Sequence, residues 1–243
     1  MDDLGGQGES ASGTFEERLA LVRRRIEAAC LRAGRRSAEV SLLAVTKKVE
    51  PERINEAAAC GLTVFGESRV QEAKQKIPLC PGHLEWHMIG HLQTNKARDA
   101  VRLFCMIHAV DSMRLLEAIN SAREAVGTPI RACLEVNLSG EGSKFGLREN
   151  DVLNVLLAAG SMKRVEIVGL LTIPPFTADP GEARPIFRGL RELRDRLASE
   201  TGMKLPELSM GMSHDFEVAI EEGATWVRVG SALFGERGGG HDG

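Results

Sequence analysis

The chain of 243 residues contains no tyrosine, so any reaction that needs a phenol as acid or base is closed to it. Paired cysteine is missing as well. Cys30, Cys60, Cys80, Cys105 and Cys133 are odd in number, widely spaced and never arranged as CxxC, which argues against a disulfide framework or a zinc site read from spacing. There is no excess of basic residues: the formal net charge is -3, so neither nucleic acid nor an anionic membrane surface is an expected partner. No apolar run reaches the ~18 residues of a membrane span. The opening MDDLGGQGESASG has neither the basic nor the apolar region of a signal peptide, and a cytoplasmic location is expected.

What is present is the balance of a folded protein, with 43% hydrophobic and 27% charged residues. Residues 1–13 and 238–243 read as loose tails around one domain over 14–237. Residues 14–33 form an expected helix: Thr14 is a candidate N-cap, Glu17 completes a capping box, and Leu19, Leu21, Val22 and Ile26 make an apolar stripe. Beyond it, short apolar runs alternate with amphipathic stretches. Strands are expected at 40–46, 62–65, 85–89, 106–110, 131–136, 166–170, 207–209 and 225–229. Helices are expected at 51–60, 69–77, 94–101, 112–126, 149–160, 181–200 and 214–222, with a short one after Ser231. An eightfold βα alternation closes into a single α/β (β/α)8 TIM barrel, here with an additional N-terminal helix. An open doubly wound sheet would carry a glycine-rich fingerprint after its first strand, and SLLAVTKKVEP has none.

The informative residues fall at strand ends. Lys47 ends the first strand, Arg228 lies in the last, and a closed barrel makes those two strands neighbours. A lysine buried there would favour the neutral amine that condenses with aldehydes, whereas one that snorkels at the mouth would have no such role. Ser209-Met210-Gly211-Met212-Ser213 and Gly230-Ser231 follow strands seven and eight, the usual place for a phosphate site in this fold, though Gly and Ser also serve ordinary turns. His87 and His91 lack a third ligand for metal and read as polar lining of the barrel mouth. Gln93, Asn95 and Lys96 cap a helix or face a partner. Ser143, Lys144 and Gly146 form a lid or a plain turn, Asp215 and Glu217 complement a helix dipole, and Met210 and Met212 pack.

The stretches LLAVTKKVEP, VFGESRVQEA, EWHMIGHLQTNK, EVNLSGEGSKFGL, GLLTIPP, LSMGMSHDFEVAI and TWVRVGSALFGER together resemble the pyridoxal phosphate (PLP) homeostasis proteins, whose fold is similar to the N-terminal barrel of alanine racemase. The resemblance implies PLP as cofactor, Lys47 as its Schiff-base lysine, Arg228 facing the pyridine nitrogen, and Ser213, Gly230 and Ser231 as the phosphate cradle. Ser68 falls beside the ring. The chain departs from the family pattern at Glu67-Ser68-Arg69, where Asn and Tyr are usual after Glu, and at Thr46 and Lys48, where Ser and Thr are usual.

An arginine at the ring nitrogen disfavours the protonated ring that makes PLP an electron sink. Racemases with that arrangement add a second base, often a tyrosine from another domain. Here there is no tyrosine, and too little chain follows Arg237 for such a domain. The expectation is therefore a monomeric PLP carrier, not an enzyme, acting in PLP and amino-acid homeostasis and exchanging PLP with apo-enzymes or amino acids. The alternatives are a slow PLP-dependent racemase and a PLP-free lysine aldolase-like barrel.

Overall fold

The structure is a computed structural model in which residues 13–140 and 145–235 are described. The tails expected at 1–13 and 238–243 lie outside the described residues except for Gly13, as do Ser143 and Lys144.

The chain opens with α1 (Phe15–Arg32), started by the capping box read from sequence: the Glu17 amide donates to Thr14 Oγ1 at 3.2 Å, and the Thr14 amide donates to Glu17 Oε2 at 2.8 Å. Of the apolar stripe read from sequence, Leu19, Val22 and Ile26 are buried, joined by Phe15, whereas Leu21 is exposed because it falls on the opposite side of the helix. Eight strands follow: β1 (Ser41–Val45), β2 (Val64–Glu67), β3 (Glu85–Met88), β4 (Met106–Val110), β5 (Ile130–Glu135), β6 (Val165–Leu171), β7 (Glu207–Met212) and β8 (Trp226–Val229). They form a closed parallel barrel in sequence order, with β8 pairing back onto β1 from Ser41↔Trp226 to Ala44↔Val229. The helices between and after them are α2 (Pro51–Ala59), α3 (Val70–Lys76), α4 (Ala97–Leu103), α5 (Met113–Arg123), α6 (Glu149–Ala159), α7 (Arg184–Thr201), α8 (Phe216–Glu221) and α9 (Ser231–Phe234). The expected (β/α)8 barrel with an extra N-terminal helix is what the chain forms. Among the described residues no helix is long and apolar enough to cross a membrane.

The strand period of two sorts side chains between two cores. Ala44, Phe65, Trp86, Ile107, Leu134, Leu208 and Val227 join the layer between sheet and helices. Leu43, Val45 and Trp226 form one cluster on the other face of the sheet, inside the barrel, and Met106, Cys133, Val168 and Leu171 form a second. Each fully buried aliphatic side chain in these layers contributes roughly 1.5–3 kcal/mol.

Two strands differ from expectation. β2 runs two residues later than 62–65, because Gly66 continues the strand: a Cβ there would lie 2.3 Å from Leu43 Cδ2, so only glycine passes that close to β1. β7 runs on to Met212 past Ser209, with a register shift against β8 between Ser209 and Met212. Met210 packs in the core as expected, but Met212 is exposed.

Candidate functional site

Strand ends at the C-terminal face of the barrel present most of the residues of interest. Lys47 sits in the turn that follows β1, and its side chain is exposed. The buried lysine considered from sequence is therefore not observed; the strand stops at Val45, and it is Thr46 that is buried.

The turn itself is held from beneath. Thr46 Oγ1 donates to Glu67 Oε1 at 2.6 Å, and Lys76 Nζ donates to the Thr46 carbonyl at 2.6 Å and to Glu67 Oε1 at 3.0 Å. Glu72 accepts from Lys76 Nζ and from the Lys48 amide, where Lys48 adopts a left-handed φ of 58°. Burial pushes the Glu67 carboxyl upward, against the pull of Thr46 and Lys76. Sequence reading missed this cluster, since Glu67 and Lys76 meet only after β2 and α3 fold back on each other. A charged lysine on the inward side of an amphipathic helix was the available signal.

Arg228 points into the barrel and is 4% exposed. It pairs in register with Leu43 on β1, four residues before Lys47. The two residues share a side of the barrel but not a layer: Arg228 lies deep and Lys47 at the rim. The guanidinium bonds neutral oxygens, donating from one Nη to Ser209 Oγ at 2.9 Å and from the other to the Thr172 carbonyl at 3.3 Å. Burial lowers its pKa to about 10, against the attraction of Glu135, Asp215 and Cys133.

Ser209 carries the contact further. Its Oγ lies 2.8 Å from His108 Nδ1, and His108 Nε2 lies 2.9 Å from His87 Nδ1. Ser209 Oγ accepts from Arg228 and keeps both a proton and a second lone pair to offer His108 Nδ1, so the chain is complete with the imidazole protons running in either direction. Burial is the main reason both imidazoles stay neutral: His87 is lowered to about 4, with the charge of Arg131 second, and His108 lies well below its ordinary range. His87 is therefore an interior residue. His91 belongs elsewhere: it is exposed, 2.7 Å from Asp111 Oδ2 and stacked on Phe145 at 3.9 Å. The shared mouth lining expected of the two histidines is not formed, because β3 ends at Met88 between them.

Ser213, Gly230 and Ser231 do come together. The amides of Gly230 and Ala232 converge on Ser213 Oγ at 3.1 and 3.3 Å, and Ser231 opens α9. Two backbone donors thus meet on the Ser213 hydroxyl, which ties the turn after β7 to the start of α9. The preceding bend requires Gly211, whose φ is 91° and whose Cβ would lie 2.6 Å from Ala219 Cβ. Asp215, the N-cap of α8, is buried and accepts from the Met212 amide at 2.7 Å, so it braces this bend from the N-terminal end of the helix. Glu217 pairs with Arg25 at 2.6 Å.

Ser68 is half-buried after β2 and lines a cavity of about 480 Å³ with Arg69, Gln71, His91, Gln93 and Lys96. Lys47, Ser213, Arg228, Gly230 and Ser231 are not among the residues that line this cavity. Gln93 precedes a 3-10 turn over Thr94–Lys96 without capping it. Gly146 precedes Leu147, which bonds back to Glu135 and Asn137 as part of an ordinary return.

Residues 21–238 match the family model described as alanine racemase, N-terminal domain. The chain is 46% identical over 91% of its length to the pyridoxal phosphate homeostasis protein of Aquifex aeolicus (strain VF5), covering 97% of that relative. It is 37% identical over 90% of its length to the protein of the same name in Escherichia coli (strain K12), covering 95% of it. The solved structure of PipY of Synechococcus elongatus PCC7942 with PLP bound superposes with a TM-score of 0.81 at 37% identity, covering 91% of this chain and all of that one (100%). An alanine racemase of Clostridium difficile 630 matches with a TM-score of 0.72 at 15% identity over 91% of this chain and 57% of that one, a likeness of fold.

Proposed function

Because the chain belongs to the pyridoxal phosphate homeostasis protein family, we propose that it is a PLP carrier: it holds the cofactor through Lys47, keeps the reactive aldehyde covered, and surrenders it to the amines of amino acids or apo-enzymes. The observation that carries the reading is the convergence of the Gly230 and Ala232 amides on one oxygen at the start of α9, at the end of the barrel where Lys47 emerges. The residues fit the group. Ser213, Gly230 and Ser231 would hold its phosphate, Arg228 would donate to its ring nitrogen, and Lys47 would reach its carbonyl carbon from the rim. When bound, PLP supplies an aldehyde that condenses with primary amines and a ring that withdraws electrons from them.

The chain's own residues favour holding over turnover. Arg228 keeps a fixed positive charge where an electron-withdrawing ring would need a proton, and its bonds to the neutral oxygens of Ser209 and Thr172 leave that charge undiminished. The Lys76–Glu67–Glu72 cluster fixes the turn that carries Lys47, and Lys76 is itself committed to that cluster. Lys47, exposed at the rim, is reachable by an incoming amine, which suits exchange of the aldehyde between amines.

Titration of the purified protein with PLP tests this. A visible band that saturates at one PLP per chain in the wild type and is lost in Lys47→Ala is expected, with no D-alanine after prolonged incubation of the loaded protein with L-alanine. Steady formation of D-alanine would make the protein a racemase. Absence of any band would leave the aldolase-like alternative.

A further inference from the structure

The opposite end of the barrel carries a second constellation. Glu85 and His87 are two apart on β3 and therefore point to the same face. The register His87↔Met106 brings in Cys105, whose amide donates to the Trp86 carbonyl at 3.0 Å. One donor atom from each of Glu85, His87 and Cys105 lies within 4.8 Å of the other two. Glu85 and Cys105 are exposed and His87 is buried, so the group sits at the rim of the N-terminal mouth, with the imidazole behind it. It shares no residue with the cradle or with Lys47.

We infer that Glu85, His87 and Cys105 form a binding site for a zinc-class divalent ion. Carboxylate oxygen, imidazole nitrogen and thiolate sulfur are all zinc donors, and three of them leave a fourth position for water. The mixture of sulfur and nitrogen selects against magnesium and calcium, which take oxygen ligands. His87 spends Nδ1 on His108; with Nδ1–H donating to His108 Nε2, the His87 Nε2 lone pair faces the ion and the hydrogen bond from the far nitrogen orients the ring, as in metal-bound histidines. On binding, the Cys105 thiol gives its proton to solvent and its sulfur bonds the ion; no oxidation is involved. The nearby cation, Arg131, is paired with Glu207 at 2.6 Å. The ion would tie β3 to the segment entering β4 at the barrel's stability face.

Sequence spacing hides the site because Cys105 lies far along the chain from the Glu-x-His pair and reaches it only through strand register. Equilibrium dialysis against zinc, with cobalt(II) as the spectroscopic probe, tests it on the full chain. One ion per chain is expected, with a thiolate-to-cobalt charge-transfer band. Both should be lost in Cys105→Ser, and Glu85→Gln should bind more weakly. Both variants should still take up PLP as the wild type does, which establishes that they fold. No ion bound, a cobalt spectrum without the thiolate band, or undiminished binding by Cys105→Ser would each overturn the assignment.

Discussion

At the scale of single residues, the barrel's interior is organised by a buried cation with two neutral imidazoles behind it. His87 and His108 sit below the ordinary histidine value of 6.5, His87 at about 4. In the unfolded chain both return to that ordinary value, so below it the unfolded state binds more protons than the folded one. Stability should be full above about 6.5 and fall as the pH drops toward about 4, by up to roughly 1.4 kcal/mol per pH unit for each histidine. The carboxyls of Glu67, Glu135 and Asp215 are raised by burial and act in the opposite direction. The difference between wild type and His87→Gln therefore isolates the histidine: urea midpoints measured from pH 7 to 5 should fall more steeply in the wild type. Equal slopes would contradict the neutral pair. The strand pattern put Lys47 two residues too deep, at the end of β1 and not in the turn after it, while Arg228 lies in β8 as read. Sequence could not find His108, and it read Ser209 as part of a phosphate turn where the residue instead joins Arg228 to His108, since those partners are strands away.

At the scale of elements, two turns carry the proposed chemistry, and each is braced by a contact far away in sequence. The turn after β1 rests on Lys76, 8% exposed, and on Glu67, fully buried, whose Oε2 has no hydrogen-bond partner among the described residues. Removing the cation alone leaves a buried carboxyl uncompensated, so Lys76→Met should cost roughly 3–5 kcal/mol in urea unfolding. The pair Lys76→Met with Glu67→Gln should recover most of it, and a double variant as unstable as the single would refute the coupling. The turn after β7 is joined to that after β8 through Ser213 Oγ. Ser213→Ala should weaken PLP binding by roughly tenfold, the equivalent of about 1.4 kcal/mol, and lower stability by roughly 1–3 kcal/mol through the two amides left unpaired. Unchanged affinity would remove Ser213 from the cradle. The glycines and serines of these turns drew attention to the right segments. Their local pattern suggested a stop at Ser209, however, where β7 continues to Met212.

At the scale of the whole molecule, the two ends of one barrel divide the work. The C-terminal face gathers Lys47 and the amide cradle, and the N-terminal mouth gathers Glu85, His87 and Cys105. The closed order from β1 to β8 was legible because eight apolar runs with helices behind them leave few other topologies. The pairing of Arg228 with Leu43, four residues before Lys47, was not, because register is set by pairing across the β1–β8 seam and not by either strand alone. The central claim is that this barrel carries PLP on Lys47, and borohydride reduction of the PLP-loaded protein followed by peptide mapping tests it most directly. A single reduced adduct on Lys47 is the predicted result. An adduct on Lys48 or another lysine, or none at all, would contradict the account.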